Sequence, residues 1–394
     1  MKITNINYSN DNSGASIAVK RINQMFLNCG YNSNILSFIE TKKNNKLEIV
    51  SRNFLHKVLK KIQQKIFRVN ISHPTNFGFF SSNFYKEINN TNSQIINLHW
   101  IGNEMMSIKD ISKINGFIIW TLHDMWPYCA IENYMNPKSF NLNYSFKKNK
   151  LNFFLNFFFQ AKIKYFSNVK LIICTSKWQK ELCEKSLIYR NVEKKIIPLP
   201  LNFETWSPKN KVAVRKNYKI PKNKKIILFI LSHKYAAKRK GLDFVVKYFE
   251  SSKLDNLCLI TTNCNEIKIN NPNLIHYNFN NINSIDKMID LYSMSDLLLM
   301  PSRLESFGQT ILEAQACNCP AITFKNTGCE DLVEHLKNGY LSEYMNQKDF
   351  SNGIETLLQT NFQNQTIRNS AKKKYSEDII GLQYKKILQN IFKF

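Results

Sequence analysis

A short apolar run that leads into a polar loop and then a helix constrains the fold of this chain more than any other feature. The run covers residues 296–300, and such a run is typical of a strand buried on both faces of a parallel sheet. The segment 310–317 is predicted to be a helix, because it is followed by Asn318 and Pro320, which end helices. Strand, loop and helix in this order predict an α/β fold with the loop at the carboxyl edge of the sheet.

Two glutamates bracket this loop and the first helical turns. Glu305 precedes the predicted helix, whereas Glu313 lies well inside it. Their spacing at helical rise spans about 12 Å, which suits the two ends of one elongated ligand better than two oxygens of one metal site. The free N–H groups that open the helix favour an anion such as phosphate. We therefore expect an elongated, anionic ligand at this edge.

The same pattern of strand, loop and helix opens each half of the chain. Residues 2–8 are predicted to form the first strand, followed by a small polar loop that ends at Gly14 and by an amphipathic helix. A second such unit begins with the apolar residues 225–231. A chain of 394 residues is expected to hold two domains. The proline-punctuated segment 198–208 is a natural boundary between them.

Histidines follow two apolar strands of the first half. One strand, within residues 94–100, ends in His99, and the other, within 116–127, ends in His123 and Asp124. A lone histidine is more often a hydrogen-bonded structural residue than a site residue. Two predicted strand ends deliver one each to the same edge, which favours a site there. His123 is the stronger candidate, with Asp124 adjacent.

Cations gather between the first strand of the second half and the helix after it: Lys234, Lys238, Arg239 and Lys240. One interpretation is that these four side chains form an ordinary run of charges exposed to solvent. If this loop faces the loop of Glu305, the same cations could instead neutralise a pyrophosphate.

The formal net charge of +26 raises the question of anionic partners. A Lys- and Asn-rich usage spread over the whole chain would leave this charge as ordinary solvated surface. The alternative is a surface that meets phospholipid, nucleic acid or a pyrophosphate substrate. Because the basic residues are diffuse and form no nucleic-acid-binding motif, we expect no nucleic-acid partner.

Residues 141–170 combine lysines with a phenylalanine-rich stretch at 151–159. This stretch is far shorter than the roughly 20 apolar residues that a membrane-spanning helix needs. A Phe-rich face flanked by lysines suits binding at an anionic membrane surface. A core helix with snorkelling lysines accounts for the pattern equally well.

The nine cysteines are scattered and include no C-x-x-C pair, which is typical of reduced, cytosolic thiols. The N-terminal residues 1–6 alternate like a strand and do not resemble a signal peptide. No apolar run approaches the length of a membrane span. We expect a cytoplasmic protein, either free or peripheral on the inner face of the plasma membrane.

With these residues assembled, the chain resembles a retaining glycosyltransferase of the GT-B type, in the large family often called family 4. The sequence Pro-Ser-Arg-Leu-Glu-Ser-Phe-Gly, with the Glu305 and Glu313 pair, is that family's most specific motif. The segments 97–101 and 121–127 are similar to enzymes that build bacterial surface polysaccharides such as colanic acid and capsule. Further matches to the family lie at 239–241, 327–328 and 338–341.

The resemblance implies two Rossmann-like, doubly wound domains that face each other across a cleft. Residues 1–200 would form the acceptor domain and 201–375 the donor domain, with a C-terminal helix at about 376–394 that packs back on the first. The implied reaction is retaining transfer of a hexose from a UDP- or GDP-sugar to a glycan or lipid-linked acceptor in cell-surface polysaccharide biosynthesis. Neither a metal nor another cofactor is expected.

The resemblance also assigns roles on the donor side. Glu305 would hold hydroxyls of the donor sugar, and Glu313 would hold those of the ribose. Lys240, together with Arg239 or Lys234, would neutralise the leaving diphosphate. The phosphates would meet backbone amides at the start of the helix, near Phe307, Gly308 and Gln309.

In the first domain, Gly14 would let the N-terminal loop approach the diphosphate. His123 would lie near the acceptor or the sugar, with His99 and Asp124 on the acceptor side. The resemblance thus makes Glu305, Lys240 and His123 the catalytic candidates. Two alternatives stay open: a basic nucleic-acid- or membrane-binding protein without transferase activity, and a GT-B enzyme of other chemistry such as an epimerase or a phosphorylase.

Overall fold

The computed structural model describes residues 1–41, 54, 57–58, 61, 75–135, 150–231, 236–264, 267–280, 282, 284–362 and 366–392. The chain divides into two compact units, Met1–Pro198 and Leu199–Phe394. Each unit is built around a six-stranded sheet in which every pair of neighbouring strands is parallel. The predicted α/β class with two doubly wound sheets is confirmed.

The sheet of the first unit has the order β2-β1-β3-β4-β5-β6. Its strands are β1 (Lys2–Asn7), β2 (Asn32–Ser37), β3 (Ile95–Leu98), β4 (Phe117–Thr121), β5 (Val169–Cys174) and β6 (Glu193–Ile196). The helices are α1 (Gly14–Asn28), α2 (Phe38–Thr41), α3 (Phe84–Asn90), α4 (Ile108–Ile111), α5 (Lys150–Tyr165) and α6 (Lys177–Glu184), with 3₁₀ turns at Trp126–Tyr128 and Leu187–Tyr189.

The sheet of the second unit has the order β12-β11-β10-β7-β8-β9. Its strands are β7 (Lys225–Ile230), β8 (Leu257–Thr262), β9 (Ile275–Phe279), β10 (Leu297–Met300), β11 (Ala321–Phe324) and β12 (Gly339–Ser342). The helices are α7 (Lys211–Asn217), α8 (Ala237–Lys240), α9 (Leu242–Ser251), α10 (Ile285–Met294), α11 (Gln309–Ala316), α12 (Gln347–Gln359), α13 (Thr366–Tyr375) and α14 (Glu377–Phe392), with a 3₁₀ turn at Glu330–Leu332.

Continuous apolar strands form the interior of the second unit. All four residues of β10 and all four of β11 are buried, as expected where helices cover both faces of a parallel sheet. Phe244 and Val245 of α9 and Phe350 and Ile354 of α12 pack in the same core. This packing fixes the strand ends, and therefore the loops that follow them.

Each sheet reverses its strand order at one place, with consequences for ligand binding. In the first unit β1 has β2 on one side and β3 on the other, and in the second β7 has β8 on one side and β10 on the other. Loops at the carboxyl ends of such central strands diverge to opposite faces, which leaves a crevice where α/β proteins bind ligands. The loops after β1 and β3, and those after β7 and β10, are therefore the places to look for sites.

The phenylalanine-rich helix α5 agrees in part with both interpretations of its sequence, a membrane-binding face and a helix packed in the core. Leu155, Phe158 and Phe159 are buried, whereas Phe153 and Phe157 are 64% and 56% exposed. Residues 136–149 of the lysine-rich flank lie outside the described residues. Within the described part of the chain, no helix is long and apolar enough to cross a membrane.

Candidate functional site

Two loops meet at the carboxyl edge of the second sheet, at its switch point. Strands β7 and β10 lie side by side, with Leu297 opposite Ile227 and Leu299 opposite Phe229. The cationic segment 236–241 follows β7, and the segment 301–308 follows β10. The strand order therefore places the cationic loop beside the loop of Glu305, as the sequence predicted.

Glu305 lies among cations. Its Oε2 accepts from Lys240 Nζ at 2.6 Å and from Arg239 Nη1 at 3.4 Å, and its side chain is 17% exposed. Burial raises the pKa of Glu305, but Lys240 and Arg239 outweigh burial and hold the pKa below the ordinary value. The carboxylate is therefore ionised at neutral pH, and the three side chains together carry a net charge of +1 (−1 from Glu305, +2 from the cations).

Arg303 joins the two loops, a role that sequence reasoning missed. Its Nη1 and Nη2 donate to Asp243 Oδ1 and Oδ2 at 2.7 and 2.6 Å, and its backbone N–H donates to Arg239 O at 2.8 Å. Arg239 Nη1 in turn donates to Leu304 O at 2.9 Å. Paired, bidentate contacts of this kind set orientation as well as distance. They hold Lys240 and Arg239 beside Glu305.

Glycines allow the backbones to approach closely here. Gly241 has φ +76, and a Cβ added to it would lie 2.0 Å from Pro301 O. Gly308 has φ +98, and an added Cβ would lie 2.7 Å from Cys329 Sγ. Both positions therefore require glycine for two reasons, conformation and space.

Helix α11 begins directly after Gly308, and the first N–H groups of a helix point toward its N-terminal end. Phe307 is buried, with its ring 6.2 Å from that of Tyr375. The backbone at Phe307, Gly308 and Gln309 thus forms a helix start beside the Glu305 cluster. This combination favours an anion.

Glu313 has different surroundings from Glu305. It lies in α11, 7% exposed, and its Oε2 accepts from Tyr292 Oη at 2.8 Å. Tyr292 belongs to α10, and sequence reasoning did not identify it. Lys234, the other predicted donor-side cation, lies outside the described residues.

In the first unit, a row of buried polar side chains crosses the sheet at its switch point. Asn5 of β1 lies opposite Asn97 of β3, and Asn97 Nδ2 donates to Asn5 Oδ1 at 3.0 Å. Thr121 Oγ1 at the end of β4 donates to Asn97 Oδ1 at 2.9 Å. The sequence does show asparagines within otherwise apolar strands, and these could have indicated a buried polar row. Their hydrogen-bond partners could not be read from the sequence, because they lie on strands that are distant along the chain.

The two predicted histidines meet above this row. His99 Nδ1 lies 2.9 Å from His123 Nε2, and His99 Nε2 lies 3.2 Å from Asn5 Oδ1. Burial lowers the pKa of His123 to about 4. Burial, and then the proximity of His123, keeps the pKa of His99 well below its ordinary value. Both rings are therefore neutral at pH 7.

Asp124 contacts structural groups. It accepts from Trp100 Nε1 at 2.9 Å, from Asn133 Nδ2 at 2.6 Å and from the Trp126 backbone N–H at 3.1 Å. Burial raises its pKa to about 6, against the opposing effect of these hydrogen bonds. The geometry therefore makes Asp124 an anchor of the turn after β4. Gly14, at the start of α1, is exposed.

The described residues offer no group of three or more His, Cys, Asp or Glu side chains arranged to hold a metal ion. The two clusters above are thus an ion-pair cluster at Glu305 and a neutral hydrogen-bonded pair at His123. The first suits a diphosphate with hydroxyl groups beside it, because cations, a helix start and an ionised acceptor lie together. The second suits a hydroxyl group.

Residues 210–374 match the family described as "Glycosyl transferases group 1". N-acetyl-alpha-D-glucosaminyl L-malate synthase from Bacillus anthracis is 43% identical over 58 residues, 15% of either chain. N,N'-diacetylbacillosaminyl-diphospho-undecaprenol alpha-1,3-N-acetylgalactosaminyltransferase from Campylobacter jejuni is 27% identical over 109 residues, 27% of this chain and 29% of that one. A capsular polysaccharide biosynthesis glycosyltransferase from Staphylococcus aureus is 30% identical over 103 residues, 25% of this chain and 27% of that one.

These alignments span only 15–29% of the length of the curated relatives. Solved structures, in contrast, match over nearly whole chains, and two of them serve as examples. Sucrose-phosphate synthase from Thermosynechococcus elongatus superimposes with a TM-score of 0.65 at 13% identity, covering 100% of this chain and 99% of that one. HepE from Anabaena in complex with UDP-glucose superimposes with a TM-score of 0.61 at 15% identity, covering 99% and 100%. At this identity the likeness concerns the fold, and the predicted GT-B fold is confirmed.

The close approach at Gly241 predicts a large effect of a single methyl group. Gly241→Ala should destabilise the second unit by about 3 kcal/mol or more, because left-handed strain adds to a backbone clash with Pro301. Gly30 is a matched control, since it has φ +83 but nothing within 4 Å of an added Cβ. Gly30→Ala should cost only about 1–2 kcal/mol. Urea unfolding measures both, and equal losses would contradict the packing of these loops.

The neutral histidine pair predicts acid sensitivity. Because the pKa of folded His123 lies near 4, below its unfolded value, its contribution to stability is present above about pH 6.5 and is lost as the pH falls through 4. That contribution is about 3 kcal/mol. His123→Gln should therefore lose less stability than wild type between pH 7 and 4, in thermal melts followed by circular dichroism. His335→Gln, at an exposed histidine of the second unit, is the control, and parallel curves for wild type and His123→Gln would refute the prediction.

Proposed function

From the match of residues 210–374 to the family of glycosyl transferases group 1, we propose that the protein transfers a hexose from a nucleoside-diphosphate sugar to a hydroxyl of a glycan or lipid-linked acceptor. The proposed setting is the biosynthesis of a cell-surface polysaccharide. A relative from Campylobacter jejuni whose name includes a diphospho-undecaprenol acceptor and a capsular polysaccharide enzyme from Staphylococcus aureus support this setting.

The proposal depends on the ion-pair cluster at the switch point of the second sheet. Lys240 and Arg239 leave a net positive charge beside Glu305, and α11 begins at Gln309, four residues after Glu305. A leaving diphosphate gains negative charge as the glycosidic bond breaks, so preorganised cations and helix N–H groups stabilise that transition state. Glu305, ionised and partly exposed, can accept hydrogen bonds from sugar hydroxyls.

The reaction would need neither a metal nor an enzyme nucleophile. Lys240, Arg239 and the helix start supply positive charge of the kind that a divalent cation supplies in other phosphate sites. Retention would follow from attack of the acceptor hydroxyl on the same face that the diphosphate leaves, with the departing phosphate taking the proton. Glu313, held by Tyr292 at 2.8 Å, is the proposed partner of the ribose hydroxyls. UDP-glucose is the first donor to test, because a structure of similar fold holds it.

Peripheral membrane association is the second part of the proposal. Phe153 and Phe157, one helical turn apart on α5, expose more than half of their surface. A net charge of +26 attracts anionic lipid to such a face. A cytoplasmic enzyme on the inner face of the plasma membrane would meet lipid-linked acceptors there.

Charge removal at the cluster tests the donor site. Lys240→Ala and Glu305→Gln should each reduce transfer from the accepted UDP- or GDP-sugar by about 10²-fold or more, with the circular dichroism spectrum of the folded wild type retained. Lys372→Ala is a matched control, because Lys372 and Glu204 form a similar ion pair at 2.9 Å on the surface. Activity near wild type in Lys240→Ala would overturn the donor-site assignment.

The same assay separates the alternatives. Activity should persist in excess EDTA, and the product linkage, determined by NMR, should keep the anomeric configuration of the donor. Product formed from the donor alone, a requirement for inorganic phosphate, or strict Mn²⁺ dependence would each contradict the proposed chemistry.

Liposome flotation tests the membrane face. The double variant Phe153→Ser/Phe157→Ser should bind vesicles of phosphatidylglycerol and phosphatidylcholine about tenfold more weakly, because two apolar side chains no longer enter the interface. Val212→Ser/Ile285→Ser removes apolar side chains that are 62% and 51% exposed on the second unit and should bind like wild type. Equal binding by all three proteins would exclude α5 as the membrane contact.

A further inference from the structure

We propose that Asn5 and His99 form a hydrogen-bond relay that fixes the tautomer of His123, so that His123 presents an unprotonated Nδ1 to a substrate hydroxyl. His99 and Asn5 are then positioning residues. The assignment of the tautomer stands on the geometry of the first unit alone. Its consequence for catalysis rests on the proposed transferase function.

The relay begins at a backbone carbonyl, which can only accept hydrogen bonds. Asn5 Nδ2 lies 3.3 Å from Asn34 O and 3.1 Å from Ser33 Oγ, so this atom of the Asn5 amide must be the nitrogen. The other atom, Oδ1, then accepts from Asn97 Nδ2 at 3.0 Å and faces His99 Nε2 at 3.2 Å. Because Oδ1 has no hydrogen to give, His99 Nε2 must carry the proton and donate it.

The orientation passes from His99 to His123. A neutral imidazole has one donor and one acceptor, so His99 Nδ1 is an acceptor once Nε2 donates. His123 Nε2 lies 2.9 Å from His99 Nδ1 and must therefore carry its own proton. The ring centroids lie 5.2 Å apart, and the ring planes differ by 26°.

A charged His99 would reverse the relay, but its surroundings oppose that charge. His99 is 2% exposed, and no carboxylate among the described residues forms a hydrogen bond with either ring. Asp124, which follows His123 in sequence, accepts from Trp100, Trp126 and Asn133 instead. Burial of an unpaired cation costs several kcal/mol, so both rings stay neutral.

His123 therefore uses one ring nitrogen, Nε2, within the protein and leaves the other, Nδ1, for a ligand. Nε2 of His123 is bound to His99, whereas Nδ1 has no hydrogen-bond partner among the residues that the structure describes. His123 is only partly buried, so a ligand can reach it. An unprotonated Nδ1 can accept a hydrogen bond from a ligand but cannot donate one. The ligand group that it fits is therefore a hydroxyl of the donor sugar or of the acceptor.

The tautomer can be measured without any activity. Long-range ¹H–¹⁵N NMR spectra of the full chain, labelled at histidine, should show His123 at pH 7.5 with Nε2 protonated and Nδ1 unprotonated. The chain has seven histidines, and single His→Gln variants assign their signals. His276→Gln is the control, because His276 bonds Thr261 at 2.8 Å on β8 of the second unit and its loss should leave the His123 signals unchanged.

Asn5→Asp tests the relay itself. A carboxylate opposite His99 Nε2 favours the imidazolium form of His99, whose Nδ1–H then donates to His123 Nε2 and moves the His123 proton to Nδ1. Transfer activity should fall about tenfold or more, the value of one hydrogen bond to the reacting complex, although His123 is still present. His99→Gln serves as a second variant if Asn5→Asp does not fold, and its His123 signals should show a mixture of tautomers.

Two results would overturn the relay: wild-type His123 protonated on Nδ1, or a His123 tautomer unchanged in both variants. The proposed function fails separately. A chain with the assigned tautomer but no transfer from any nucleoside-diphosphate sugar would keep the relay and refute the transferase. An active enzyme whose His123 has the opposite tautomer would support the transferase and refute the relay.

Discussion

The cost of burying charge determines how the candidate site of the second unit is built. Glu305 is largely removed from water, and an isolated carboxylate there would take up a proton. Lys240 and Arg239 prevent this, because they contact the same oxygen at 2.6 and 3.4 Å. Two cations must then be held beside one anion, and the contacts between the loops after β7 and β10 do that. The Arg303–Asp243 pair and the close approach of Gly241 to Pro301 follow from this need.

The first unit solves the same physical problem without charge. Its switch point holds amides, hydroxyls and imidazoles that satisfy one another from Asn34 to His123. A neutral network is less costly to bury than ions, provided that every member has a partner. It also has a direction, because His123 donates to His99, His99 donates to Asn5, and Asn5 donates to the backbone carbonyl of Asn34. The second unit therefore offers a preorganised cluster of charges around Glu305, and the first unit offers a preorganised lone pair on His123 Nδ1.

Much of this was predictable from the sequence. Apolar strands followed by polar loops predicted both sheets, and the motif around Glu305 predicted the loop where the cations meet the carboxylate. The strand ends at His99 and His123 predicted two histidines at one edge. The roles of Arg303, Tyr292 and Asn5 were not predicted. Each acts through a partner distant in sequence: Asp243 for Arg303, Glu313 for Tyr292 and His99 for Asn5.

The sequence by itself determined the class of fold and the chemical types at each strand end, because apolar runs, glycines and charges are local properties. Only the tertiary structure decided which oxygen meets which cation and which nitrogen of His123 stays free. Those choices depend on the parallel register that sets Asn5 opposite Asn97 and Leu297 opposite Ile227. Register follows from packing across whole sheets, so no local pattern contains it. The helix α5 illustrates the same limit, since its phenylalanines are alike in sequence and only packing separates buried Phe158 from exposed Phe157.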